Sequence, residues 1–138
     1  MNSIEYKSGY KYQLHSDYTV QIDIYPACYI KTAYINLTVS GMLDIKAGYA
    51  WDGPSGPAID TLDFMRGSLV HDALYQLMRM GKINAVTWRK EADLELKRIC
   101  IQDGMPRIRA WSVYFGVYLF GWSATLPENV KPVLRAPR

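Results

Sequence analysis

The feature that most constrains the fold is a change of hydrophobic period near residue 55. Upstream, "YKYQLHSDYTVQIDIY" alternates Leu14, Tyr18, Val20, Ile22 and Ile24 with polar residues. The stretch "YIKTAYINLTVSGMLDIKAGYAW" adds β-branched and aromatic runs broken at Gly41 and Gly48. A period of two with these breaks predicts three or four antiparallel strands. Downstream the period becomes helical. Met65, Leu69, Ala73, Leu77 and Met80 recur at three- and four-residue steps along Leu62 to Met80, and Gly81 supplies a stop. A second helix is expected from Thr87, read as its N-cap with Lys90 and Glu91 in the first turn, to Gln102, ahead of Asp103 and Gly104. A third follows Pro106, a residue suited to a first helical turn, and runs to about Gly121. The short connection "GKINAVT" makes the first two helices an antiparallel pair. Between the two regimes, "WDGPSGPAIDT" at residues 51–61 holds two Gly, two Pro and Ser and cannot join a regular element, so it is a structured loop. The expected architecture is a single α+β domain. Its strand layer covers about residues 1–50, its helical part about 62–121, and an extended, surface-bound tail residues 122–138.

Composition narrows the function classes. The 138 residues fit one ordinary domain, and 49% hydrophobic with 21% charged residues is a globular balance. A net charge of +3, spread along the chain, does not by itself argue for nucleic acid, which is not the expected partner. The 11 Tyr and 4 Trp read first as core packing rather than as base-stacking platforms. Cys28 and Cys100 form one disulfide at most, and no Cys/His spacing suits zinc; two reduced thiols in a cytosolic protein is the plain reading. The N-terminal "MNSIEYKSGYKYQL" has no apolar stretch of the kind a cleavable export signal needs. The longest uncharged run, Ala110 to Leu126, reaches only the lower edge of spanning length and contains Ser, Thr and two Gly. It reads as a buried or interface-facing helix.

Within "GSLVHDALYQLMR", residues 67–79, an ionisable pair interrupts an apolar helix. Adjacent helical residues point about 100° apart, so His71 and Asp72 address different neighbours. His71 and Tyr75 share a face, and an antiparallel second helix bearing "WRKEADLELKR" can bring Asp93 opposite His71, with Arg89 one turn away. A carboxylate that binds one imidazole nitrogen fixes the tautomer and leaves the other nitrogen to act as a base on water. Asp72 can meet the carbonyl-rich "WDGPSG" loop, and carboxylate plus carbonyl oxygens are the donors Ca²⁺ prefers. The plainer alternative is a satisfied polar network in which Asp72 pairs with Arg66, Arg79 or Arg89 and ties loop to helices. The loop's glycines could admit a ligand, yet it lacks the GK[ST] ending of a phosphate loop, and a rigid turn accounts for it as well. Ser55 in that loop and Arg89 are candidates for structural or substrate-positioning roles. The basic residues Arg107, Arg109, Lys131, Arg135 and Arg138 suit an anionic lipid or nucleic acid, or a solvated surface.

Two resemblances follow from these motifs. From Tyr49 to about Gly121, the order "AWDGPSGP", "RGSLVHDALYQL", "RKEADLELKRI" and "VYFGVYLFG" resembles an uncharacterised domain family of phage and prophage genomes, marked by DGxSxP, HDxLY and RxxAD. That resemblance implies a phage or prophage origin, in the host cytoplasm or on the virion, and carries no activity with it. The same section is similar, more distantly, to the catalytic part of secreted prokaryotic phospholipases A2. The second resemblance implies that His71 is the general base and that Tyr75 and Asp93 orient it. It also implies that Asp72 is a calcium ligand, with Asp52 and the carbonyls around Gly53 in the place of the calcium loop. The cation would polarise an ester carbonyl and hold the developing oxyanion. The chain departs from that pattern: the bracing disulfides are absent, the loop is Pro-rich, and those enzymes lack such a strand layer.

Three functions are therefore expected to compete. The first is a phage-encoded, Ca²⁺-dependent, phospholipase-like hydrolase acting at a lipid or membrane surface, with "WSVYFGVYLFGW" facing the membrane. The second is a non-catalytic virion or accessory module, partnered by a phage or host protein, in which His71, Asp72, Arg89 and Asp93 form a structural network. The third, a metal-dependent phosphohydrolase, is weakest, because such sites need several His and Asp ligands and the only other histidine is His15.

Overall fold

The computed structural model describes residues 4, 6–7, 12–51, 61–121 and 125–126. They belong to two compact units that divide after Gly53. The fold is α+β, with antiparallel strands followed by three helices.

Among its described residues the first unit holds seven short strands rather than three or four. They are β1 (Tyr6–Lys7), β2 (Tyr12–Leu14), β3 (Tyr18–Gln21), β4 (Ile30–Lys31), β5 (Ile35–Leu37), β6 (Met42–Ile45) and β7 (Ala50–Trp51). One antiparallel sheet has the order β1-β2-β7 and the other β3-β6-β5-β4. The difference arises because backbone turns cut the apolar run between residues 29 and 51 into four pieces. The amide of Thr32 donates to the Ile35 carbonyl, that of Gly41 to Thr38, and that of Tyr49 to Lys46. Gly41 and Gly48 take φ of +89° and +96°, which a residue with a Cβ rarely adopts. In the four-stranded sheet β6 pairs Ile45 with both Tyr18 and Ile35, and Leu43 with both Val20 and Leu37. Tyr18, Ile35, Leu37, Leu43 and Ile45 are buried, while Val20, expected inside, is half-buried.

The second unit contains α1 (Leu62–Arg79), α2 (Ala85–Gln102) and α3 (Arg107–Phe120). Both α1 and α2 end in the same way. Gly81 at φ +72° lets the Lys82 amide reach the Leu77 carbonyl and its own amide reach Met78. Gly104 at φ +104° does so for Met105 to Cys100 and for itself to Ile101. A glycine just past the helix thus satisfies carbonyls that would otherwise be orphaned. The start of α2 differs from the expectation at Thr87. Asn84, in extended conformation, is the N-cap, and its side-chain oxygen accepts from the Thr87 amide at 2.9 Å.

Contacts between α1 and α2 step in opposite directions along the two helices, as antiparallel packing requires. Arg66 meets Asp103, Gly67 meets Leu96 and Cys100, and His71 meets Asp93. The helices are in tight contact at Gly67, where a Cβ would stand 2.9 Å from Cys100 Sγ and 3.0 Å from Leu96 Cδ1. Phe64, Leu96, Cys100, Met105 and Ala110 form the core beside it. Fifteen of the eighteen residues of α1 are buried, polar ones included, so each polar group there must find a partner. Met80, expected on its apolar face, is 37% exposed at the C-cap.

Helix α3 buries Ala110 and Tyr114 but leaves Ile108, Phe115 and Leu119 exposed, so it is buried on one side only. No helix among the described residues is long and apolar enough to cross a membrane.

Two measurements follow from this packing. Gly67→Ala forces the helix pair apart and is expected to destabilise the chain by about 1–3 kcal/mol in chemical denaturation. Burial, reinforced by the charges of Asp63 and Asp103, pushes the Cys100 thiol up to about 12 from its ordinary value of 9.0. The unfolded thiol therefore ionises first, and stability declines as pH rises from about 9 towards 12. Cys100→Ala is expected to flatten that part of the alkaline decline. A thiol reagent at neutral pH should label exposed Cys28 and spare Cys100 until the chain unfolds.

Candidate functional site

The site is built from α1 and α2. His71 and Tyr75 stand one turn apart on α1, their ring centroids 4.1 Å apart, and both address Asp93 on α2. Asp93 is 0% exposed. Its Oδ1 accepts from His71 Nε2 at 2.7 Å and from the Tyr75 hydroxyl at 2.6 Å. A carboxylate can only accept, so Nε2 carries a proton, and in the neutral ring Nδ1 is the nitrogen with the lone pair. The His71 side chain retains 11% exposure. Burial first, and then Asp93, raises the Tyr75 phenol far above its ordinary value, so the hydroxyl remains a neutral donor.

Arg89 lies one helical turn before Asp93. Its Nη1 donates to the Tyr118 carbonyl at 2.9 Å and sits 3.5 Å from Asp93 Oδ2. Its guanidinium lies 5.1 Å from the centroid of the Tyr118 ring. Oδ2 has no hydrogen-bond partner among the described residues, so Arg89 compensates its charge through space. The end of α3 closes this corner. A Cβ on Gly121 would stand 2.6 Å from the Val117 carbonyl and 3.2 Å from the Tyr75 hydroxyl, so only glycine fits there without movement.

The structure thus brings His71, Tyr75, Asp93 and Arg89 into one network. Asp72 is half-buried on α1. Asp52, Gly53 and Ser55 lie outside the described residues. Arg66 forks onto Asp103 at 2.9 and 3.0 Å and reaches Gln102 at 2.8 Å, Arg79 donates to Gln76 at 2.8 Å, and Arg89 serves Asp93 and Tyr118. His15 is exposed in the strand unit.

Asp72 offers one hard oxygen donor, and no group of three His, Cys, Asp or Glu side chains among the described residues could hold a metal ion. A Ca²⁺ ion takes about six to eight oxygen ligands, more than Asp72 alone supplies.

Two participants have no sequence signature. The Tyr118 carbonyl, a backbone group, anchors Arg89, and the space beside Tyr75 is kept open by Gly121. The Arg66–Asp103 clamp was foreseeable only in part: Asp103 is legible as a helix end, but not as the partner of an arginine 37 positions earlier.

Comparison with protein-family models, with curated proteins and with solved structures finds no match to this chain.

Removing Asp93 deprives His71, Tyr75 and Arg89 of their common partner. Asp93→Ala is expected to cost about 3–5 kcal/mol in urea denaturation. Asp93→Asn keeps an acceptor oxygen and should cost clearly less.

Proposed function

We propose that the chain is a phage- or prophage-encoded hydrolase of carboxylic esters, with phospholipids as the leading substrate class. The observation that carries the reading is the shared oxygen of Asp93, buried from solvent and accepting from both His71 Nε2 and the Tyr75 hydroxyl. This arrangement holds an imidazole in a single tautomer with Nδ1 basic, which is what activation of water requires.

In the proposed reaction Nδ1 of His71 removes a proton from water while the water oxygen bonds to the ester carbonyl carbon. The imidazolium so formed is balanced by the Asp93 carboxylate 2.7 Å away. The tetrahedral intermediate collapses with cleavage of the bond to the leaving alkoxide, which takes the proton back from Nδ1. Tyr75 holds Asp93 in place and transfers no proton, because its phenol is strongly disfavoured as an anion. Asp72 is the residue of α1 that would hold a Ca²⁺ ion, and the chemistry the ion would supply when bound is polarisation of the ester carbonyl.

A second reading has its own support. The same network joins α1, α2 and, through Arg89, the Tyr118 carbonyl of α3, which is what a purely structural polar core in a virion or accessory module would do.

His71→Gln separates the two. Glutamine can present an amide N–H to Asp93 but has no basic nitrogen. The hydrolase reading expects wild-type turnover of short-chain phospholipid esters, assayed with and without Ca²⁺. In His71→Gln that turnover should fall by at least about 10²-fold, with an unfolding midpoint close to wild type. Turnover retained in the variant, or none of any ester by folded wild type under either condition, sinks the hydrolase reading and leaves the structural one.

A further inference from the structure

We propose that the exposed face of α3 docks on an anionic phospholipid membrane surface. This inference does not rest on the hydrolase reading, because the stripe meets the His71 network only at its edge, where Arg89 lies against the Tyr118 ring.

Helix α3 carries no polar face of the usual kind. Of its fourteen residues, "RIRAWSVYFGVYLF", only Arg107, Arg109 and Ser112 are charged or hydroxyl-bearing outside the aromatic side chains. A helix apolar all round is normally buried all round. Here Ala110 and Tyr114 turn inward, yet Ile108 is 85%, Phe115 50% and Leu119 58% exposed. Residues 108, 111, 115, 118 and 119 recur at three- and four-residue steps, so Trp111 and Tyr118 extend the same stripe along one edge. This is a contiguous apolar surface, unlike the scattered single residues that any protein exposes.

Charge decides what covers it. Helix α3 bears no carboxylate. The neighbouring carboxylates are largely compensated inside the unit: Asp63 by Arg109, Glu95 by Arg98, Asp103 by Arg66, and Asp93 within the buried network. Glu91 is the one acid of α2 with no ion pair among the described residues. Against it stand exposed Arg107 on α3 itself and Lys97, whose Nζ lies 3.5 Å from the Trp111 ring centroid. Neither of these cations has an ion pair among the described residues.

The stripe is therefore rimmed by net positive charge, with Trp and Tyr at its edge. Amphipathic rings of this kind settle at the headgroup level, while aliphatic and Phe side chains enter the acyl boundary. Two copies pressed face to face would oppose like-charged rims, whereas an anionic bilayer complements them. With fourteen residues α3 is too short to span, so it would lie in the plane of the interface.

The test is co-sedimentation of the purified full chain with vesicles of ether-linked lipids, which no esterase can cleave at the chain linkage. One set is phosphatidylcholine alone and the other an equal mixture with phosphatidylglycerol. Wild type should partition at least about tenfold more strongly onto the mixed vesicles, weakening with salt, and its tryptophan emission should shift to the blue. Phe115→Asp combined with Leu119→Asp should lower that partition by at least about tenfold. Arg107→Glu, at an exposed position, should lower it roughly fivefold or more. Unchanged melting and a protected Cys100 thiol certify the fold of each variant. The proposal is overturned by absence of binding to either vesicle, by equal and salt-independent binding to both, or by variants that are folded and bind as wild type. It is also overturned by a concentration-dependent dimer that the double variant dissolves, which would make a second copy the occupant. His71→Gln should bind as wild type, so loss of turnover and loss of docking are read separately.

Discussion

A carboxylate with no solvent exposure is the constraint on which the helical unit depends. Moving the charge of Asp93 out of water costs several kcal/mol after relaxation, and only partners with good geometry offset that. His71 and Tyr75 donate to one of its oxygens, and Arg89 stands 3.5 Å from the other. Each partner commits an element. The two donors place the middle of α1 against α2, and Arg89 reaches past Asp93 to the Tyr118 carbonyl of α3. The Schellman endings at Gly81 and Gly104 reverse the chain tightly enough for these helices to meet.

The same constraint gives the site its chemical character. Because Oδ1 accepts the Nε2 proton of His71, Nδ1 is the nitrogen left with a lone pair in the neutral ring, and because Tyr75 resists ionisation its hydroxyl stays a donor to Asp93. A structural cluster and a catalytic one are built from the same bonds here. The difference between them is whether water and an ester carbonyl reach Nδ1. The 11% exposure of the His71 side chain is the feature that lets the chemical reading stand beside the structural one.

Much of this was legible in the sequence, for identifiable reasons. The change of hydrophobic period near residue 55 announces strands followed by helices, because side-chain direction repeats every two residues in one and every 3.6 in the other. A seven-residue connection between apolar helices implies an antiparallel pair, and the i, i+4 spacing puts His71 and Tyr75 on one face. Strand number was misjudged because the turn at Thr32–Ile35, held by the Thr32 backbone and hydroxyl, carries no glycine or proline to mark it, and because strands of two residues are too short to show a period. The start of α2 was placed at Thr87 because threonine is a frequent cap, whereas Asn84 accepts the Thr87 amide. Met80 fits the periodic face of α1 but falls on the C-cap, where the helix has already stopped.

The sequence by itself determined the α+β order of elements, the helix pair and the residue types able to share one carboxylate, because these depend on local periodicity and chain connectivity. Only the tertiary structure decided that Asp93 loses all contact with solvent, that Arg66 is clamped by Asp103, and that Gly67 lies tight against Leu96 and Cys100. It also decided that α3, mostly apolar beyond its first turn, buries Ala110 and Tyr114 and leaves Ile108, Phe115 and Leu119 exposed. Burial and pairing of this kind arise from residues distant in the chain, and a one-dimensional pattern records a side chain's chemistry without recording which neighbour will remove it from water.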